Sequence, residues 1–153
     1  MLLFFVSRQN VPLGYTVPGF PALYWPVGAT HPDYETAVLY YSHDMWAFTV
    51  YWTMIFFLIA YLLAGVASAT NLLIQRARGS RHVGKCLSAL VLAVYCFLGP
   101  AQGFVTGAVV GLVLLAIYRA GYLAMPTWIP FSWGLALVVY HICSSYSTSL
   151  LLI

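Results

Sequence analysis

Three stretches of this chain, residues 45–75, 86–118 and 120–153, contain no charged side chain. They are 31, 33 and 34 residues long, whereas a helix needs only about 20 consecutive apolar residues to cross a hydrocarbon core about 30 Å thick. Each stretch can therefore span a bilayer, and the middle one is long enough for two short spans. Composition points the same way. The chain is 63% hydrophobic and 6% charged, against about 25% charged in an ordinary soluble domain, which excludes a soluble enzyme and a disordered chain. The resulting expectation is an all-α integral membrane protein: a proline- and aromatic-rich interfacial arm over residues 1–44, then a transmembrane helical domain over residues 45–153.

The nine charges lie where such a protein would carry them. Arg76, Arg78, Arg81 and Lys85 fall in one short loop, while Asp33, Glu35 and Asp44 precede the first span. The net charge of +3 is thus local, with none of the broad basic face that a nucleic-acid partner requires. Met1 and the apolar residues up to Val6 are too few for a cleavable signal peptide, and Arg8 follows them, so the first span is expected to act as the targeting signal. Cys86, Cys96 and Cys143 sit in apolar stretches without CxxC spacing. They read as free thiols, with neither a disulfide, a metal site nor a cofactor implied.

Along the arm, Pro12, Pro18, Pro21, Pro26 and Pro32 prevent regular helix, and Phe20, Tyr24 and Trp25 favour the headgroup layer. A short interfacial helix is expected over residues 33–41, from Asp33 as cap and the spacing of Tyr34, Val38 and Tyr41. Asp44, Met45 and Trp46 open the first span, over about residues 46–74, with Asp44 able to accept first-turn amide hydrogens. In the middle stretch, Gly99 and Pro100 lie where proline removes a helix hydrogen bond and glycine permits a turn. A hairpin of two short spans, about 83–98 and 101–118, is therefore expected, with one strongly kinked helix as the alternative. The hairpin returns Arg119 to the side of the 76–85 loop, as the positive-inside tendency favours. The last span follows Pro126 and Pro130 and covers about 131–153. Four spans result, or three in the kinked alternative. The arm is placed on the lumenal side and the 76–85 loop in the cytosol.

Two stripes of small residues suit close helix packing. Gly103, Gly107 and Gly111 form a GxxxGxxxG run, and Ala60, Ala64 and Ser68 line one face of the first span. Each stripe serves most simply as an internal seam; the sharper reading is a groove for a partner helix or a lipid chain. Arg76, Arg78, Arg81, Lys85 and Arg119 are the candidate contacts for anionic headgroups, although topology alone would explain the loop. His141 is the one ionisable side chain well inside a span, followed by Ser144, Ser145, Ser147, Thr148 and Ser149. It reads best as a neutral ring bonded to a serine or a backbone carbonyl. No span contains a carboxylate and no HExxH or GxSxG occurs, so no catalytic set is assigned.

The order of Asp44, Met45, Trp46, then Ala64 and Gly65, a basic loop ending Gly84 and Lys85, Gly99 with Pro100, Gly111, and finally Ile117, Tyr118, Arg119 and Ala120 resembles the transmembrane protein 170 family over residues 44–140. The resemblance implies a small non-enzymatic multi-pass protein of the endoplasmic reticulum membrane and nuclear envelope, associated with membrane-sheet organisation. It also implies an accessory subunit of a large bridge-like lipid-transfer protein. Its partners would be membrane lipids and that larger membrane protein. Two other classes stay open on the residues alone: a small lipid or ion transporter or channel component using His141 and the serines, and an intramembrane lipid enzyme built on His31, His43, Asp44 and His141.

Overall fold

The structure is a computed structural model that describes residues 11, 14–23, 37–77 and 85–150. Three helices carry the fold: α1 over Ser42–Ala77, α2 over Lys85–Ala120 and α3 over Trp128–Leu150. Two-residue strands, β1 at Val38–Leu39 and β2 at Met125–Pro126, pair antiparallel with Val38 opposite Pro126 and Leu39 opposite Met125. The apolar stretches fold as helices because a helix satisfies its own backbone wherever water is absent. Among the described residues, α1 and α2 are the two helices long and apolar enough to cross a membrane. Each has 36 residues, about 54 Å at 1.5 Å per residue, so both must tilt or project beyond the hydrocarbon.

The expected hairpin at Gly99 and Pro100 is corrected: a single helix runs through both residues. Hairpin arms of 83–98 and 101–118 would be about 24 and 27 Å long, short of the roughly 30 Å core. The through helix loses only the one backbone bond that Pro100 cannot donate. It also brings Gly99 onto α1, where a Cβ would lie 2.9 Å from Tyr61 Cβ and 3.2 Å from Leu58 Cα. The Gly-Pro pair is therefore a packing site in place of a turn. Three helices result, as in the alternative reading, and Arg119 lies at the opposite end of α2 from Lys85. The expectation that Arg119 shares a face with the 76–85 loop depended on the hairpin and falls with it.

α1 is the centre of the bundle. It runs antiparallel to α2, with Trp46 beside Gly111, Met54 beside Gly103 and Gly65 beside Tyr95. It runs parallel to α3, with Trp52 and Thr53 beside Gly134 and Tyr61 beside His141. Where α1 begins and α2 ends, Leu39, Met45, Phe48, Leu114 and Met125 form a buried cluster that the strand pair closes. The helix expected over 33–41 is likewise corrected over its described part, because Val38 and Leu39 pair with β2; Asp33, Tyr34 and Glu35 lie outside the described residues. α2 ends in a Schellman cap: Leu123 N donates to Tyr118 O at 3.0 Å, Tyr122 N donates to Arg119 O at 3.2 Å, and Tyr122 takes the left-handed φ of 51°.

Candidate functional site

The glycine stripe of α2 is occupied within the chain. A Cβ on Gly103 would lie 2.8 Å from Met54 Cα, one on Gly107 2.9 Å from Thr53 Cβ, and one on Gly111 3.0 Å from Trp46 Cδ1. Spacing of four puts these glycines on one helix face, and their missing side chains let two backbones approach closely. The approach is sealed by Trp46, whose Nε1 donates to Ala108 O at 3.2 Å. Gly134, which sequence reasoning did not single out, does the same for α3, with a Cβ 3.2 Å from Thr53 N and 3.1 Å from Phe56 Cδ2. Glycines of two helices thus converge on Thr53. That residue is fully buried, and its hydroxyl donates to Thr49 O at 2.6 Å, while Thr49 donates to Met45 O at 2.9 Å. Both polar side chains are in this way satisfied inside their own helix.

The second stripe is less enclosed. Ala64 is exposed, Ala60 and Ser68 are half-buried, and Ser68 Oγ donates back to Ala64 O at 2.9 Å. His141 is held across the α1–α3 contact: its Nε2 lies 3.2 Å from the Tyr61 hydroxyl, and its ring lies 5.2 Å from that of Phe57. The expected partner, a serine or a backbone carbonyl, is corrected to a tyrosine 80 residues away. No spacing rule pairs those two positions. Ser144 Oγ does bond a helix carbonyl, that of His141, at 2.9 Å.

Asp44 stands in the first turn of α1, where its charge suits the positive helix end, with His43 Nδ1 at 3.4 Å. Met45 is buried and Trp46 half-buried. Arg119 is exposed beside the start of α1. Arg78 and Arg81 lie outside the described residues, and Arg76 and Lys85 mark the α1 and α2 ends that the loop joins. Among the described residues, no three His, Cys, Asp or Glu side chains gather in a group that could hold a metal ion.

The described part of the arm packs on the bundle. Tyr15 donates its phenol hydrogen to Val38 O at 2.9 Å, and Thr127 Oγ1 donates to Ala22 O at 2.9 Å. Burial pushes the Tyr15 hydroxyl up to about 12, against a smaller downward pull from the Tyr40 backbone. Phe20 lies 5.6, 5.7 and 5.1 Å, ring to ring, from Phe48, Tyr51 and Trp52. Trp52 stacks further against Phe56 and meets Phe131 edge-on, and its Nε1 is enclosed without a hydrogen-bond partner among the described residues.

Two long apolar helices pressed together through glycines, with a shorter third helix on the same central one, define a small helical membrane protein. The chain belongs to the transmembrane protein 170A/B-like family, which it matches over residues 38–152. The match starts at β1, so the strand pair and all three helices fall within it. The chain is also 37% identical over 143 residues to the Saccharomyces cerevisiae protein YPR153W, covering 94% of each. No solved structure matches it.

Proposed function

We propose that this chain is a non-catalytic subunit of the endoplasmic reticulum membrane that packs against the membrane anchor of a larger protein. In that role it contributes to the organisation of the reticulum and nuclear envelope, and to lipid transfer by a bridge-like lipid-transfer partner. The observation that carries this reading is Tyr140. It stands in the middle of α3, 72% exposed, and its hydroxyl makes no hydrogen bond among the described residues. Tyrosine favours the membrane interface, and an unsatisfied hydroxyl facing hydrocarbon is costly. A partner helix with an acceptor at that depth resolves the cost. With the glycine stripe of α2 taken by α1, the partner face moves from Gly103, Gly107 and Gly111 to the outer side of α3. His141 is engaged with Tyr61 on the inner side, which favours this reading over a transport pathway through the imidazole.

Purification in mild detergent is expected to recover the chain with a larger membrane protein. Tyr140→Ala is expected to reduce that recovery at least about ten-fold, the scale of a buried aromatic contact at an interface. A chain recovered reproducibly alone, or a variant that retains its partner in full, overturns the proposal. The orientation is tested separately. Single cysteines at Ser80 and Ala120, with the three native cysteines replaced, are expected to react with an impermeant thiol reagent from opposite sides of sealed microsomes. Labelling of both from outside would restore the hairpin.

A further inference from the structure

A lateral groove of about 390 Å³ opens between α1 and α2 on the side away from α3, lined by Tyr51, Met54, Ile55, Leu58 and Pro100. Its remaining wall is Phe20, supplied by the arm. We propose that residues 17–22 form a releasable strap, latched by Thr127, that holds Phe20 across this groove, and that its release opens the groove to the acyl chains of the bilayer.

Three observations carry this. First, Phe20 reaches well beyond the start of α1, onto Phe48, Tyr51 and Trp52, so the arm enters the depth of the span and does not stop at the surface. Second, the latch is compact. Thr127 is fully buried, its hydroxyl holds Ala22 O, and its backbone N–H donates to Ala37 O at 3.1 Å. One residue at the foot of α3 thereby ties the strap to Ala37, the residue that leads into β1. Third, the seated strap carries local costs. Ala22 takes the left-handed φ of 41°, unfavourable for a side chain with a Cβ, and Trp52 beside Phe20 has an N–H without a partner among the described residues. Phe20 is itself 40% exposed. A segment seated with strain and held by few bonds belongs to the low-stability end of a fold. The occupant follows from the wall chemistry: the pocket lining is apolar, and it lies beside exposed Ile59 and Leu63 on the same long apolar helix, a surface suited to hydrocarbon.

The full chain in phosphatidylcholine vesicles doped with a phospholipid bearing a diazirine on its acyl chain tests the strap. After illumination, carbene insertion at Ile55 and Leu58 is read by mass spectrometry and normalised to insertion at Leu63. Thr127→Val keeps the shape and removes the donor, and is expected to raise the normalised signal about five-fold, the population change that loss of one net hydrogen bond produces. Thr127→Ser keeps the donor and is expected to match the native protein, while Phe20→Ala is expected to exceed Thr127→Val. An unchanged ratio in Thr127→Val overturns the latch, and an unchanged ratio in Phe20→Ala overturns the strap. A rise shared equally by Leu63 would signify general loosening of the fold and also overturns the proposal.

Discussion

Leucine at position 103 is expected to separate α1 from α2. A Cβ there would already lie 2.8 Å from Met54 Cα and 3.1 Å from Thr53 O, which are backbone atoms that no rotamer change moves aside. Overpacking of this kind costs about 1 to 3 kcal/mol for a few added carbons, and a full leucine against backbone should exceed about 3 kcal/mol. For a chain of this size that corresponds to a midpoint lower by roughly 10 °C. Gly103→Ala should fall between leucine and the native residue. Gly121→Ala is the internal control, because its added carbon meets the Leu123 side chain at 3.3 Å and backbone only at the ordinary contact distance of 3.6 Å, at Ile117 O, and should leave the midpoint almost unmoved. Thermal unfolding in detergent, followed by tryptophan fluorescence, reads all three. Equal midpoints for Gly103→Leu and Gly121→Ala would mean that the two helices do not meet through this face.

The second large effect is expected where α3 meets α1. His141→Ala removes a ring packed on Phe57 and leaves the Tyr61 hydroxyl without its partner, a combined loss of about 2 to 3 kcal/mol. Tyr61→Phe removes the hydroxyl alone and should cost about 1 kcal/mol, the scale of hydrogen bonds between membrane helices. Together the two changes should cost less than the sum of the singles by about 1 kcal/mol, because the second has no bond left to break. Strict additivity would mean that the 3.2 Å approach contributes no bond to stability.

Much of the helical architecture was legible because it rests on a one-dimensional signal. Charge-free runs bounded by Asp44, Arg76, Lys85 and Arg119 mark where α1 and α2 begin and end to within a few residues. Pro100 was misleading for a physical reason. Its local preference argues for a break, whereas the outcome depends on what lies opposite, and Gly99 beside Tyr61 and Leu58 gains more from contact than one missing backbone bond removes. The strand pair was illegible for the same kind of reason: Val38 and Leu39 are strand only because Met125 and Pro126 lie alongside. Gly103, Gly107 and Gly111 could be read as a close-packing face, but which helix fills it requires the register of α1 on α2. The Tyr61 and His141 pair, and the role of Gly134, likewise exist only once α1 and α3 lie parallel.

The bond from Thr127 to Ala22 joins residues 105 apart in sequence, and this separation orders events at the ribosome. Residues 17–22 precede α1 and α2 in the chain, and α2 can close on α1 as an antiparallel pair while synthesis continues, since its contacts are mainly with that helix. Thr127 emerges only after both. A nascent chain halted before that residue therefore holds a formed helical pair on which Phe20 can already meet Phe48, Tyr51 and Trp52, but it lacks the hydroxyl that fixes Ala22. Latching awaits the foot of α3, so residues 17–22 are made before both long helices and are fixed at Ala22 only after them.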